Sequence, residues 1–247
     1  MNDFGTLLKS KNLKYEEKWC PSTVDKFEKI LLSNILSSKN SGVISNICYS
    51  MQYLQYICFQ IEQLNLHNII LLLLYKNFII ISMSIIEAIF YLVLQEKKLE
   101  NYEERELIKK IKGNKTKIGD KYYIFDIDLY CLSEPQKVQM TFDTMIKKMK
   151  SNNILSSNPK IYKYLNKYRD SRNNVHLQNA ITKHKSDFWQ YQKGDYYVVK
   201  YMLYKILTDV NLFMADKNAE CIKFLKLTKE EQIYTANYFK MIEKNEL

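Results

Sequence analysis

The run from Asn68 to Leu94 constrains the fold of this chain more than any other stretch. It is almost wholly apolar, broken by Lys76 and Asn77 into runs of seven and seventeen residues, with Glu87 inside the longer one. A hydrocarbon core of about 30 Å needs about 20 apolar residues in a helix, and a carboxylate within it is costly. The reading is therefore a buried central helix, not a membrane span. A helix apolar nearly all round must be wrapped by other elements, and 247 residues suffice for one sizeable core. Five Gly and three Pro leave little punctuation, so the other elements should also be long helices.

A formal charge of +10 points to a polyanionic partner, because lysines and arginines beside phosphates release counterions. A Lys-rich surface also serves solubility alone. Cys20, Cys48, Cys58, Cys131 and Cys221 are odd in number, scattered and without a CxxC pair, which fits reduced thiols in the cytoplasm. Three scattered histidines without an acidic partner motif give no metal-ligand spacing, so neither metal nor cofactor is expected. Residues 1–18 alternate polar and charged side chains and lack the apolar core of a signal peptide.

The periodicity predicts an all-α chain, an antiparallel helical bundle spanning residues 1–247 as one domain. Its core covers about 45–215, with terminal helices at 24–38 and 228–244. Ser22-Thr23 and Asp25 start the first helix, with Phe27, Ile30, Leu31 and Ile35 as its apolar stripe. A second helix runs from Ile44 to about Leu66, and Glu103–Lys112 reads as a short charged helix. Gly113-Asn114 and Gly119-Asp120 are turn signals, and Tyr122–Ile127 is either a short strand or a packed loop. Pro135 suits the first turn of a helix continuing through Lys150. Asn158-Pro159 then caps a helix from Lys160 to about Asn174, and Lys183–Gly194 is a loop anchored by Phe188 and Trp189. Helices Tyr196–Ala215 and Thr228–Lys244 complete the set.

The chemistry concentrates in Tyr168-Arg169-Asp170-Ser171-Arg172-Asn173-Asn174-Val175-His176-Leu177. At about 3.6 residues per turn, Arg169 and His176 lie two turns apart on nearly one line, with Arg172 one turn before His176. A fixed cation beside an imidazole that titrates near neutrality is the minimum equipment for cutting RNA without a metal. On the helical wheel Ile161, Tyr164, Leu165, Tyr168 and Val175 form one stripe, and Arg172 falls inside it. A half-buried Arg172 needs a partner, and Glu87, an acid on an apolar helix, is the simplest one the sequence offers. Arg172 at a dimer interface is the alternative. For His176 the competing role is a helix C-cap, and for Arg169 a solvated surface cation.

This stretch resembles the signature of the HEPN superfamily, an Arg followed by four to six residues and then His. Arg169 to His176 has six intervening residues, and Asp170 is the polar residue that usually follows the Arg. Arg172-Asn173 resembles the Arg-Asn of many members, although its spacing to His176 is shorter. Ser82–Ala88 with Glu87 is similar to the acid-bearing core helix of these bundles. The resemblance implies a homodimer with two Arg/His sets at the interface and a metal-independent endoribonuclease of toxin–antitoxin or phage-defence systems. Its expected partners are RNA and an antitoxin or other regulatory protein. It implies Arg169, Arg172 and His176 as catalytic residues, with Asp170, Asn173 and Glu87 in support; which Arg acts is open. Other members have lost catalysis and bind nucleotide, RNA or a protein partner, which is the alternative function here.

Lys183, His184 and Lys185 form a basic cluster, either a solvated loop or an RNA-phosphate contact. His67 opens the apolar helix as a packing or capping group. Lys109–Lys121 carries six lysines and two glycines, a mobile loop or a guide for RNA. Tyr122, Tyr123, Tyr191, Tyr196 and Tyr197 stand among lysines, where tyrosines either pack bundle edges or stack bases.

Overall fold

A computed structural model describes residues 19–156, 160–169, 190–214, 216 and 219–245. The described residues fall into two units, one from those before Lys98 and after Thr141 and the other from Lys98–Thr141. Among the described residues the fold is mixed α/β, about 60% helix and 15% strand, which overturns the all-α expectation.

The first unit holds α1 (Val24–Leu31), α2 (Ser41–Gln63), α3 (Asn68–Glu96), α4 (Phe142–Ser151), α5 (Lys160–Tyr168), α6 (Lys193–Leu207) and α7 (Lys229–Asn245), with short 3₁₀ turns at Ser38–Asn40 and Glu220–Leu225. Helix α3 is central: α2, α4 and α6 all pack on it. From Phe78 to Leu94 it buries side chains around most of its circumference, including Phe78, Ile79, Met83, Ile86, Ile89, Phe90 and Val93. The helices that pack on it bury Met51, Leu54, Ile57 and Cys58 of α2 and Val199, Met202, Leu203 and Ile206 of α6. By length and composition α3 is apolar enough to cross a membrane, yet half of its most apolar window is buried in protein. His67 caps it, its Nδ1 accepting the Ile69 N–H at 3.3 Å. Lys98, at φ 55°, lies in the left-handed region and ends the helical path.

Helix α6 stops at Leu207, eight residues short of the sequence expectation. There the Thr208 hydroxyl donates to the Tyr204 carbonyl at 2.8 Å, and buried Asp209 accepts the Ser156 and Asn211 N–H groups at 3.2 and 3.0 Å. Side chains that bond nearby backbone in this way compete with helix continuation.

The second unit is a β-ribbon. Strand β1 (Asn101–Ile111) pairs antiparallel with β4 (Ile127–Val138), and β2 (Thr116–Ile118) pairs with β3 (Lys121–Tyr123) across a turn containing Gly119 at φ 63°. The expected helix Glu103–Lys112 is therefore a strand. Its Glu, Arg and Lys are good helix formers, but antiparallel pairing along β4 overrides that weak local preference. The expected helix start at Pro135 is corrected likewise. Pro135 lies inside β4, where the register jumps from Arg105↔Leu132 to Glu103↔Gln136. A residue without an N–H is tolerated at such an irregularity. Helix α4 begins later, at Phe142.

Candidate functional site

Of the expected site residues, Arg169 and Glu87 lie among the described residues. Asp170, Arg172, Asn173, His176, Lys183, His184 and Lys185 lie outside them, as do Asn158-Pro159, Phe188 and Trp189. Helix α5 buries Ile161, Tyr164, Leu165 and Tyr168, the expected stripe, and so carries Arg169 at its end to a fixed place. Tyr164 stacks on Phe239 of α7 with ring centroids 4.2 Å apart.

Arg169 does not behave as a solvated cation. Its Nη1 donates to Oδ1 of Asp143 in the first turn of α4, and each side chain is 33% exposed. Asp143 also receives Lys147 Nζ at 2.7 Å on its other oxygen, one helical turn on. Asp143 was not singled out in the sequence. The available signal was an acid in a first helical turn with Lys four residues later, a pattern that also serves dipole and i,i+4 stabilisation. Glu87 is half-buried on α3. Phe90, the residue one turn after it, meets Phe142 at 6.2 Å between centroids. The α3 turn following Glu87 thus packs beside the α4 turn that supplies Asp143.

The residue before Arg169 is pinned more tightly. The Tyr168 hydroxyl donates to Oδ1 of Asp195 at 2.5 Å, and both residues are only 3% exposed. Asp195 Oδ2 accepts the Gln192 N–H at 3.0 Å as one half of a reciprocal capping box on α6, and Lys167 Nζ approaches Oδ1 at 3.6 Å. The Tyr238 phenol of α7 is raised above its ordinary pKa by burial first and then by the charge of the same carboxylate. Burial, then the adjacent Asp195 charge, holds the Tyr168 phenol far above its ordinary pKa. One buried acid therefore gathers α5, α6 and α7 beside Arg169.

A second polar cluster lies elsewhere on α6. Lys200, 2% exposed, reaches Glu62 and Glu231 at 3.6 Å each and lies over the Tyr196 ring at 5.6 Å. The Tyr196 hydroxyl and Cys58 Sγ are 3.3 Å apart, and burial pushes the Cys58 thiol up to about 12. A thiol held protonated is a poor nucleophile, so this group reads as a satisfied core network. Among the described residues no group of three or more His, Cys, Asp or Glu is arranged to hold a metal ion.

Chemically, the Arg169 region offers a guanidinium whose position is set by Asp143 and by the Tyr168–Asp195 bond. Such a preorganised cation can stabilise developing phosphate charge. No protein-family model matches the chain, and neither curated proteins nor solved structures give a match.

Proposed function

We propose that the chain is a metal-independent endoribonuclease of HEPN type, acting in the cytoplasm as a homodimer in a toxin–antitoxin or phage-defence setting. The observation that carries this reading is the placement of Arg169: half-buried, oriented by Asp143, and six intervening residues before His176. In this reading His176 takes the proton from a ribose 2′-hydroxyl and returns one to the leaving 5′-oxygen. Arg169 or Arg172 stabilises the charged phosphorane, with Asp170 and Asn173 beside them. Glu87 holds Arg172 from α3, a pairing whose loss costs roughly 3–5 kcal/mol where both groups are buried.

The test is cleavage of varied RNAs by wild type and by Arg169→Ala, Arg172→Ala and His176→Ala. Wild type should cut; His176→Ala should be inactive with its fold intact, and the two arginine variants should identify the acting cation. Equal cleavage by wild type and His176→Ala sinks the reading. The Asp143–Arg169 ion pair also favours a second one. A guanidinium already neutralised by an acid suits a non-catalytic bundle that binds nucleotide, RNA or a regulatory protein, and wild type would then leave RNA whole.

A further inference from the structure

The ribbon unit exposes a pattern unsuited to solvent alone. From Asn101 to Val138 no residue is fully buried, and nearly all are exposed. At its β2–β3 end Tyr122 is 69% and Phe125 62% exposed, and neither ring touches another aromatic among the described residues. The same segment, Lys109–Asp128, carries six lysines against three aspartates. Two of those aspartates are engaged locally. Asp126 accepts the Gly113 N–H at 3.2 Å, and Asp128 pairs with Lys110 at 3.9 Å. Lys112, Lys115, Lys117 and Lys121 are exposed and form no ion pair among the described residues.

Register places cation beside ring. Lys117 lies directly opposite Tyr122, so the two share one face of the β2–β3 ribbon. The other face carries Thr116 opposite Tyr123 and Ile118 opposite Lys121. Gly113 holds the ribbon's waist closed, since a Cβ there would sit 2.0 Å from the Phe125 carbonyl oxygen. The rings and ammonium groups are thus displayed on a paired backbone, not on a free loop.

We infer that this β2–β3 end is a binding arm for single-stranded RNA, the bases stacking on Tyr122 and Phe125 and the phosphates following Lys112, Lys115 and Lys117 and then crossing the turn to Lys121 on the opposite face. Aromatic faces interleaved with unpaired cations match a strand whose bases are uncovered and whose backbone is anionic. An apolar protein partner would leave the four ammonium groups unmatched. The assignment rests on the ribonuclease reading only for the choice of RNA over DNA.

The test uses a fluorescein-labelled, fully 2′-O-methylated single strand, which lacks the internal nucleophile and survives any ribonuclease. Its anisotropy is measured with the wild-type chain, Tyr122→Ala/Phe125→Ala and Lys117→Gln/Lys121→Gln. All sites are exposed, and each variant is checked by thermal melt. The aromatic pair should weaken binding by at least about tenfold. The lysine pair should flatten the log Kd against log salt slope by about 1.4. Unchanged affinity in both variants, or no binding by wild type, overturns the arm. So does a wild-type dimer that Tyr122→Ala/Phe125→Ala dissociates without touching RNA affinity, which makes the surface a protein interface. Because no cleavage is read, an inactive Arg/His set leaves the result unaffected.

Discussion

Replacing Tyr168 with phenylalanine removes one oxygen from the place where α5, α6 and α7 meet. The ring stays, so no cavity larger than a hydroxyl opens. What is lost is the 2.5 Å bond to Asp195, an acceptor 3% exposed that carries charge. Hydrogen bonds to charged groups are worth about 1.5–3 kcal/mol. Asp195 keeps the Gln192 N–H and Lys167, so the expected loss is about 2 kcal/mol, inside that range. The pH dependence supplies a sharper check. The Tyr168 phenol is raised in the folded state, chiefly by burial, so folding favours its protonated form. Its contribution is whole below the unfolded value of about 10 and fades as pH rises above it. A phenylalanine ring has no proton to lose there, so the gap between wild type and Tyr168→Phe should close by about 1.4 kcal/mol per pH unit above about 10. Urea unfolding followed by circular dichroism at pH 8, 10 and 11 measures it. A gap below about 0.5 kcal/mol at pH 8, or one that widens with pH, refutes the reasoning.

Gly194→Ala should destabilise the chain although alanine is the better helix former. Its Cβ would meet the Tyr238 ring at 2.5 Å, including the atom nearest the backbone, and overpacking costs about 1–3 kcal/mol against the roughly 1 kcal/mol of propensity gained. Asp143→Asn should cost only about 0.5–1 kcal/mol, because both partners are 33% exposed and solvent screens them. Under the ribonuclease reading the same substitution should lower cleavage by more than its stability effect explains. An alkylating reagent at pH 8 should label Cys20 and Cys131, which are exposed, and spare Cys48, Cys58 and Cys221 until denaturant is added. Burial raises all three, Cys48 and Cys58 to about 12; mass spectrometry counts the adducts.

The helical unit was legible because its signals are long. The Ile161–Tyr168 stripe buries the side chains its pattern selects, and the Asn68–Leu94 run does so from Phe78 onward, while Ile69, Ile70 and Leu73 near its start stay exposed. Strand β1 was not legible, because Glu103–Lys112 is built from helix-forming residues and declares itself a strand only when set against Ile127–Val138. Pro135 misled for a similar reason: a first helical turn and a strand irregularity tolerate the same missing N–H. At the candidate site Arg169 stood out by its spacing to His176. Asp143 and Asp195 did not, since a lone acid near a helix start is ordinary until tertiary packing brings Arg169 or Tyr168 to it.

The claim of metal-independent RNA cleavage meets its most direct test in the end groups of the fragments that wild-type protein makes in the presence of a chelator. Attack by the 2′-hydroxyl leaves a 2′,3′-cyclic phosphate on one fragment and a 5′-hydroxyl on the other, and mass spectrometry distinguishes these from water-derived ends. The account predicts cyclic phosphate with chelator present, and none where a 2′-deoxy nucleotide occupies the cut site. Fragments bearing 5′-phosphates, or cleavage that the chelator stops, would contradict it.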